Sequence, residues 1–148
     1  MGCCHCHGCR GCPESQNVKE WDVVCVQVTI DVRQRLVVST FSGEINDAEL
    51  LQVPSLIRSH PDFDPSFSEI VDFSGVTAGT LSIRAIQEIA QGKSIYSPTS
   101  MHLVIAPQDH VFGLSRMAQV LAEQTKPNTM VVRTMDEARK FLGLETGV

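Results

Sequence analysis

The sequence predicts an α/β domain: a mixed, mostly parallel five-stranded sheet led by a β-hairpin. Three observations carry this. Val24, Val26, Val28 and Ile30 alternate with their neighbours at period two, and a polar turn, "DVRQR", leads into a return strand, Leu36 to Phe41. Downstream, short apolar runs alternate with amphipathic stretches, the pattern of parallel strands joined by helical crossovers. The chain has 148 residues, 43% hydrophobic and 20% charged, enough for one substantial core.

The elements follow in order. "NDAELLQVPSLIRSH" reads as a helix capped by Asn46, with Glu49 near the capping-box spacing. Pro54 lacks a backbone donor and clashes one turn back, so a kink or early stop is expected there. "PDFDPSF" is a loop and "EIVDFSG" a short buried strand. "TLSIRAIQEIAQG" is a helix with Leu81, Ala85, Ile86 and Ile89 inward and Gly92 as its stop. "SMHLVIAP" is a strand that Pro107 ends. "DHVFGLSRMAQVLAEQ" is a helix with Asp109 as candidate cap. "NTMVVRT" is the last strand, and "TMDEARKFLG" the last helix, between a Thr134–Glu137 capping box and Gly143.

Crossovers of one hand between neighbouring strands place the helices on one side of the sheet. The other face is then open or covered by something else. Its candidate residues are Cys25, Gln27, Ser39, Asp72 and His102, a mixture that suits a half-buried sheet.

Residues 1–17 differ in composition and read as a tail and linker, with the domain over 18–148. The tail, "GCCHCHGCRGC" and beyond, holds five of six cysteines. Cys3, Cys4, Cys6, Cys9, Cys12, His5 and His7 are donors that suit zinc or Cu(I), although no second ligand pair follows at finger distance. The alternative is a tail with no selected role. Cys-x-x-Cys without a following His excludes a c-type haem site, and "MGCCHC" lacks the Ser or Thr of a myristoylation signal.

The formal net charge of −5 and the absence of a Lys/Arg cluster argue against nucleic acid. No apolar run is long enough to span a membrane, and the N-terminus lacks the pattern of a signal peptide. A reducing cytoplasm is the expected location, with the cysteines as thiols or metal ligands. No cofactor beyond a tail metal is expected, and a homodimer is left open.

"LVVSTFSGEINDAELLQVPSLIRSHPDFDPSFSEIVDFSGVT" and "APQDHVFGLSRMAQVLAEQ" resemble the small bacterial SpoIIAA-like proteins of the STAS superfamily, a branch described as similar to CRAL-TRIO lipid-binding domains. The resemblance covers roughly residues 21–143. It implies a right-handed β-α superhelix and a non-catalytic regulatory or ligand-binding role. Anti-sigma factor antagonists of that superfamily carry an Asp-Ser-(Ser/Thr)-Gly motif just past "DLSGVT", whose serine a partner kinase phosphorylates. Here Thr80-Leu81-Ser82-Ile83 stands there, without the Asp or the Gly. Ser82 remains as a hydroxyl at a predicted helix start, where a phosphate is favoured and a plain cap is commoner.

No catalytic set emerges. Cys25 is predicted mid-strand, where a thiol is usually an inert small hydrophobe. His60, His102 and His110 have no adjacent nucleophile with a carboxylate third partner. The expected role is therefore binding of a small molecule or lipid. A phospho-switched protein-interaction module and metal or thiol binding by the tail are the alternatives. Ligands of open α/β sheets sit beyond the carboxyl ends of strands. That points to Asp72, Ser74, Thr77 and Thr80, which ordinary turn and cap chemistry also explains. The "FGLSRM" helix has apolar residues beyond one stripe, so Phe112 and Met117 are candidates for a pocket or subunit contact, with Arg116 as polar anchor. The alternative there is that they are core and Arg116 snorkels.

Overall fold

A computed structural model describes residues 24–144. The Cys/His tail and its seven donor residues lie outside the described residues. So does the boundary at residue 17.

The hairpin forms as the alternation predicts. Strands β1 (Val24–Asp31) and β2 (Leu36–Asn46) pair antiparallel. Asp31 closes the turn by accepting the Gln34 N–H, and Arg35 takes a positive φ of 54°. Val26, Val28 and Ile30 turn to one core, which makes period two the signature of a covered face.

Asn46 caps α1 (Asp47–Leu51) through the Glu49 N–H. Pro54 divides this region: α1 stops, and α2 (Val53–Arg58) begins with the proline in its first turn, where a missing donor costs nothing. Strand β3 (Ser68–Thr80), helix α3 (Ile83–Gln91), strand β4 (His102–Ile105), helix α4 (Asp109–Leu121), strand β5 (Thr129–Val132) and helix α5 (Met135–Leu142) complete the chain. The sheet order is β1-β2-β3-β4-β5, and every pairing after the hairpin is parallel. The mixed α/β sheet is therefore as the sequence predicts.

Three expectations are corrected. First, β3 is not a short strand ending near Gly75. It runs on to Thr80, paired with β2 across two register shifts. "SGVTAGT" looks like a turn locally, but pairing with β2 outweighs that preference. Gly75 suits the close approach there, because a Cβ would stand 3.0 Å from the Phe41 carbonyl oxygen and 3.1 Å from the Ser42 Cβ, tighter than ordinary contact.

Second, the helices do not all share one side. Helix α5 follows the last strand, so no return crossover constrains it. Its Ala138, with Met135 and Leu142, covers Leu36, Ile70, Leu103, Ile105 and Val132 on the second face. Ser39 and His102, expected on that face, are buried on the first. Residues two apart share a face, and Ser39 lies between Val37 and Phe41, both in the first core.

Third, Asp109 does not cap α4. Gln108 holds the cap position, and its side-chain amide donates to the Val76 carbonyl instead. Asp109 lies in the first turn and pairs with Arg133 at 2.9 Å. The Thr134–Glu137 capping box and the Gly143 stop, at φ 73°, are present as predicted.

Candidate ligand cavity

Between the first face of the sheet and α1 to α4 lies a cavity of about 360 Å³. That falls within the ~300–1,000 Å³ typical of small-molecule sites. Its floor comes from alternate strand positions: Phe41 and Ile45 of β2, Val71 and Phe73 of β3, and Val104 of β4. Its roof comes from one stripe of each helix. Val53 and Ile57 of α2, Ile86 and Ile89 of α3, and Val111, Leu114 and Ala118 of α4 recur at helical spacing. The exposed residues Glu88, Lys93 and His110 also line it, so they mark where it meets solvent.

One wall is polar. Glu69 of β3 and His102 of β4 are directly registered across the parallel ladder. Both are buried, and the His102 Nδ1 lies 2.8 Å from the Glu69 Oε1. The Tyr96 hydroxyl donates to the other carboxylate oxygen, Oε2, at 3.1 Å. Burial, then the Glu69 charge and the hydrogen bond to it, push the Tyr96 phenol far above its ordinary range, so it stays a donor. The Tyr96 ring packs edge-on against His102, with centroids 5.0 Å apart, and against Phe63, at 5.4 Å.

The loop that delivers Tyr96 is tied to the "HPDFDP" turn. The Ser97 N–H and Ser100 hydroxyl both donate to the Pro65 carbonyl. The turn itself is held by Asp64, which accepts the N–H and hydroxyl of Ser66 and is thereby kept below the usual carboxylate range.

Lys126 also lines the cavity. Its ammonium donates to the Ile89 carbonyl at 2.8 Å, where α3 leaves carbonyls unsatisfied. Desolvation lowers the Lys126 pKa, and the Glu69 charge opposes that.

The residues singled out from sequence lie elsewhere. Asp72 accepts the N–H and hydroxyl of Ser74, and it shares the face of Ile70, away from the cavity. Ser74 and Thr77 are exposed within β3, and Thr80 is its last residue. Phe112 lies under the Arg133 guanidinium, 3.9 Å from the ring centroid, with Arg116 farther off at 6.0 Å. Phe112, Arg116 and Met117 do not line the cavity, whereas their neighbours Val111, Leu114, Ser115 and Ala118 do. The helix thus presents a stripe adjacent to the one chosen.

Ser82 caps α3 through the Ala85 N–H. Its own N–H and hydroxyl donate to Asp47 at 2.8 and 2.7 Å. Among the described residues, no group of three or more His, Cys, Asp or Glu side chains could hold a metal. No helix among them is long and apolar enough to cross a membrane.

Sequence reasoning missed Glu69, Tyr96 and Lys126, and it placed His102 on the wrong face. One signal was available. Glu69 and His102 stand at the starts of strands, directly before the apolar runs Ile70-Val71 and Leu103-Val104-Ile105, and a buried charge normally needs a partner. Tyr96 and Lys126 lie in connecting segments whose sequences carry no such signal.

No protein-family model matches this chain, and no curated protein matches it either.

Proposed function

We propose that this chain is a small-molecule-binding domain whose ligand is mostly apolar and carries one polar group. The observation that supports this is the cavity itself. Protein interiors pack densely, with few voids larger than a water molecule. An unfilled apolar void costs stability in proportion to its volume. Here Phe41, Phe73, Ile86, Leu114 and other large side chains surround open space, while Glu69, His102, Tyr96 and Lys126 converge on one wall. An apolar lining with a few convergent polar groups is the usual form of a ligand site.

The hairpin followed by neighbour-to-neighbour parallel strands also agrees with the SpoIIAA-like resemblance, which implies ligand binding or regulation. The phospho-switch reading gains less support. A phosphoryl group on Ser82 would replace the proton donated to Asp47 and set a second anion against that carboxylate.

Native mass spectrometry of protein purified without detergent, with thermal shifts against a panel of medium-chain amphiphiles, tests the proposal. A co-purifying small molecule, or a saturable rise in melting temperature that Ala118→Phe abolishes by filling the cavity, supports it. No adduct and no shift with any amphiphile at its solubility limit would overturn it.

A further inference from the structure

The chemistry of the polar wall narrows the ligand class. We infer that the cavity takes an uncharged apolar alcohol, which donates to His102 and accepts from Lys126, and that it rejects the carboxylate of equal chain length. This rests on the ligand-binding reading above.

Glu69 sets the hydrogen-bonding sense of the wall. A carboxylate only accepts hydrogen bonds. Tyr96 donates to one of its oxygens, so the His102 nitrogen at the other must donate as well. Glu69 therefore fixes the proton on Nδ1, as a partner carboxylate does for an oriented imidazole. Nε2 is then the remaining ring nitrogen and, in the neutral imidazole, an acceptor. His102 lines the cavity, so a ligand meets it as a group in search of a donor.

A carboxylate ligand has no proton to offer. It would also bring a second negative charge beside the buried Glu69, and like charges in one desolvated site oppose each other. Lys126 does not reverse this, and the other basic residues on the cavity, Lys93 and His110, are exposed to solvent at its mouth with Glu88, where charge is screened. The Lys126 ammonium already donates to the Ile89 carbonyl, and the Glu69 charge acts on it against the cost of burial. A hydroxyl suits both neighbours, because it is one donor and an acceptor together. The wall then stays close to neutral.

The experiment compares decanol with decanoate by isothermal titration at neutral pH. Decanol is expected to bind the wild-type protein at least about tenfold more tightly. Glu69→Gln removes the negative charge and lets the side-chain amide donate to Nδ1, which frees His102 to carry its proton on Nε2. In that variant the alcohol-to-acid preference is expected to fall by about tenfold or to invert.

Tighter binding of decanoate to the wild type would overturn the inference and leave the ligand-binding reading in place. Failure of both probes would count against the inference and send the question back to the wider amphiphile panel. The nitrogen chemical shifts of the His102 imidazole give an independent check that needs no variant. An Nδ1-protonated ring is expected, and an Nε2-protonated ring would overturn the inference.

Discussion

Glu69 and His102 face each other as a registered pair on adjacent parallel strands, joined at 2.8 Å on the polar wall of the cavity. Two strands thus deliver one polar unit into an apolar space. Removing Glu69 takes the acceptor from two buried donors, the His102 Nδ1–H and the Tyr96 hydroxyl, and each unsatisfied group costs about 1–3 kcal/mol, while replacing all partners with apolar groups is often nearly neutral. Glu69→Ala should therefore lower unfolding stability in urea by about 2–4 kcal/mol, whereas Glu69→Leu with His102→Leu and Tyr96→Phe, which leaves no orphaned donor, should cost far less. Equal losses in the two proteins would mean that the pair is not the unit described.

Ser39 carries a fully buried hydroxyl for which no hydrogen-bond partner is present among the described residues. A buried unsatisfied polar group costs about 1–3 kcal/mol. Ser39→Ala is accordingly expected to raise stability by about 1 kcal/mol, read as a higher urea midpoint at unchanged slope. A clear loss of stability would show that the hydroxyl is bonded in solution.

Asp47 joins the start of α1 to the start of α3. The Ser82 N–H first, and its hydroxyl second, hold the Asp47 carboxyl below its usual range. A carboxylate depressed on folding stabilises the native state above its unfolded pKa of about 3.9, and that contribution is lost as pH falls through the folded value. The stability gap between wild type and Asp47→Asn should thus be present near neutral pH and close as acid titrates the group. Urea midpoints measured down to about pH 2 would reveal it. A gap that stays constant with pH would assign the effect to something other than this charge.

Deleting residues 1–17 should change unfolding stability by less than about 1–2 kcal/mol, a modest part of typical domain stability. Among the described residues, both core clusters are complete sets of packed strands and helices from Val26 onward. A larger loss would show that the tail contributes to the fold. Metal analysis of the two proteins side by side would test separately whether the tail's cysteines and histidines bind zinc or copper.

The sequence by itself determined what is local. Asn46, the Thr134–Glu137 box and Gly143 were legible because caps are settled by residues within one turn of each other. The hairpin and the alternation of strands with helices were legible for the same reason. Only the tertiary structure decided which face of the sheet each alternation serves. Period two shows that Glu69, Val71 and Phe73 share a side, but it carries no information about what covers that side. The covering came from the crossover helices on one face and α5 on the other, and it turned His102 inward. Register between parallel strands is likewise set by distant packing, and it put Glu69 opposite His102. Tyr96 and Lys126 reached the same wall from segments whose local sequence is ordinary. Their place depends on where the loop docks and where α3 leaves a carbonyl unpaired, and neither is encoded within the few residues around them.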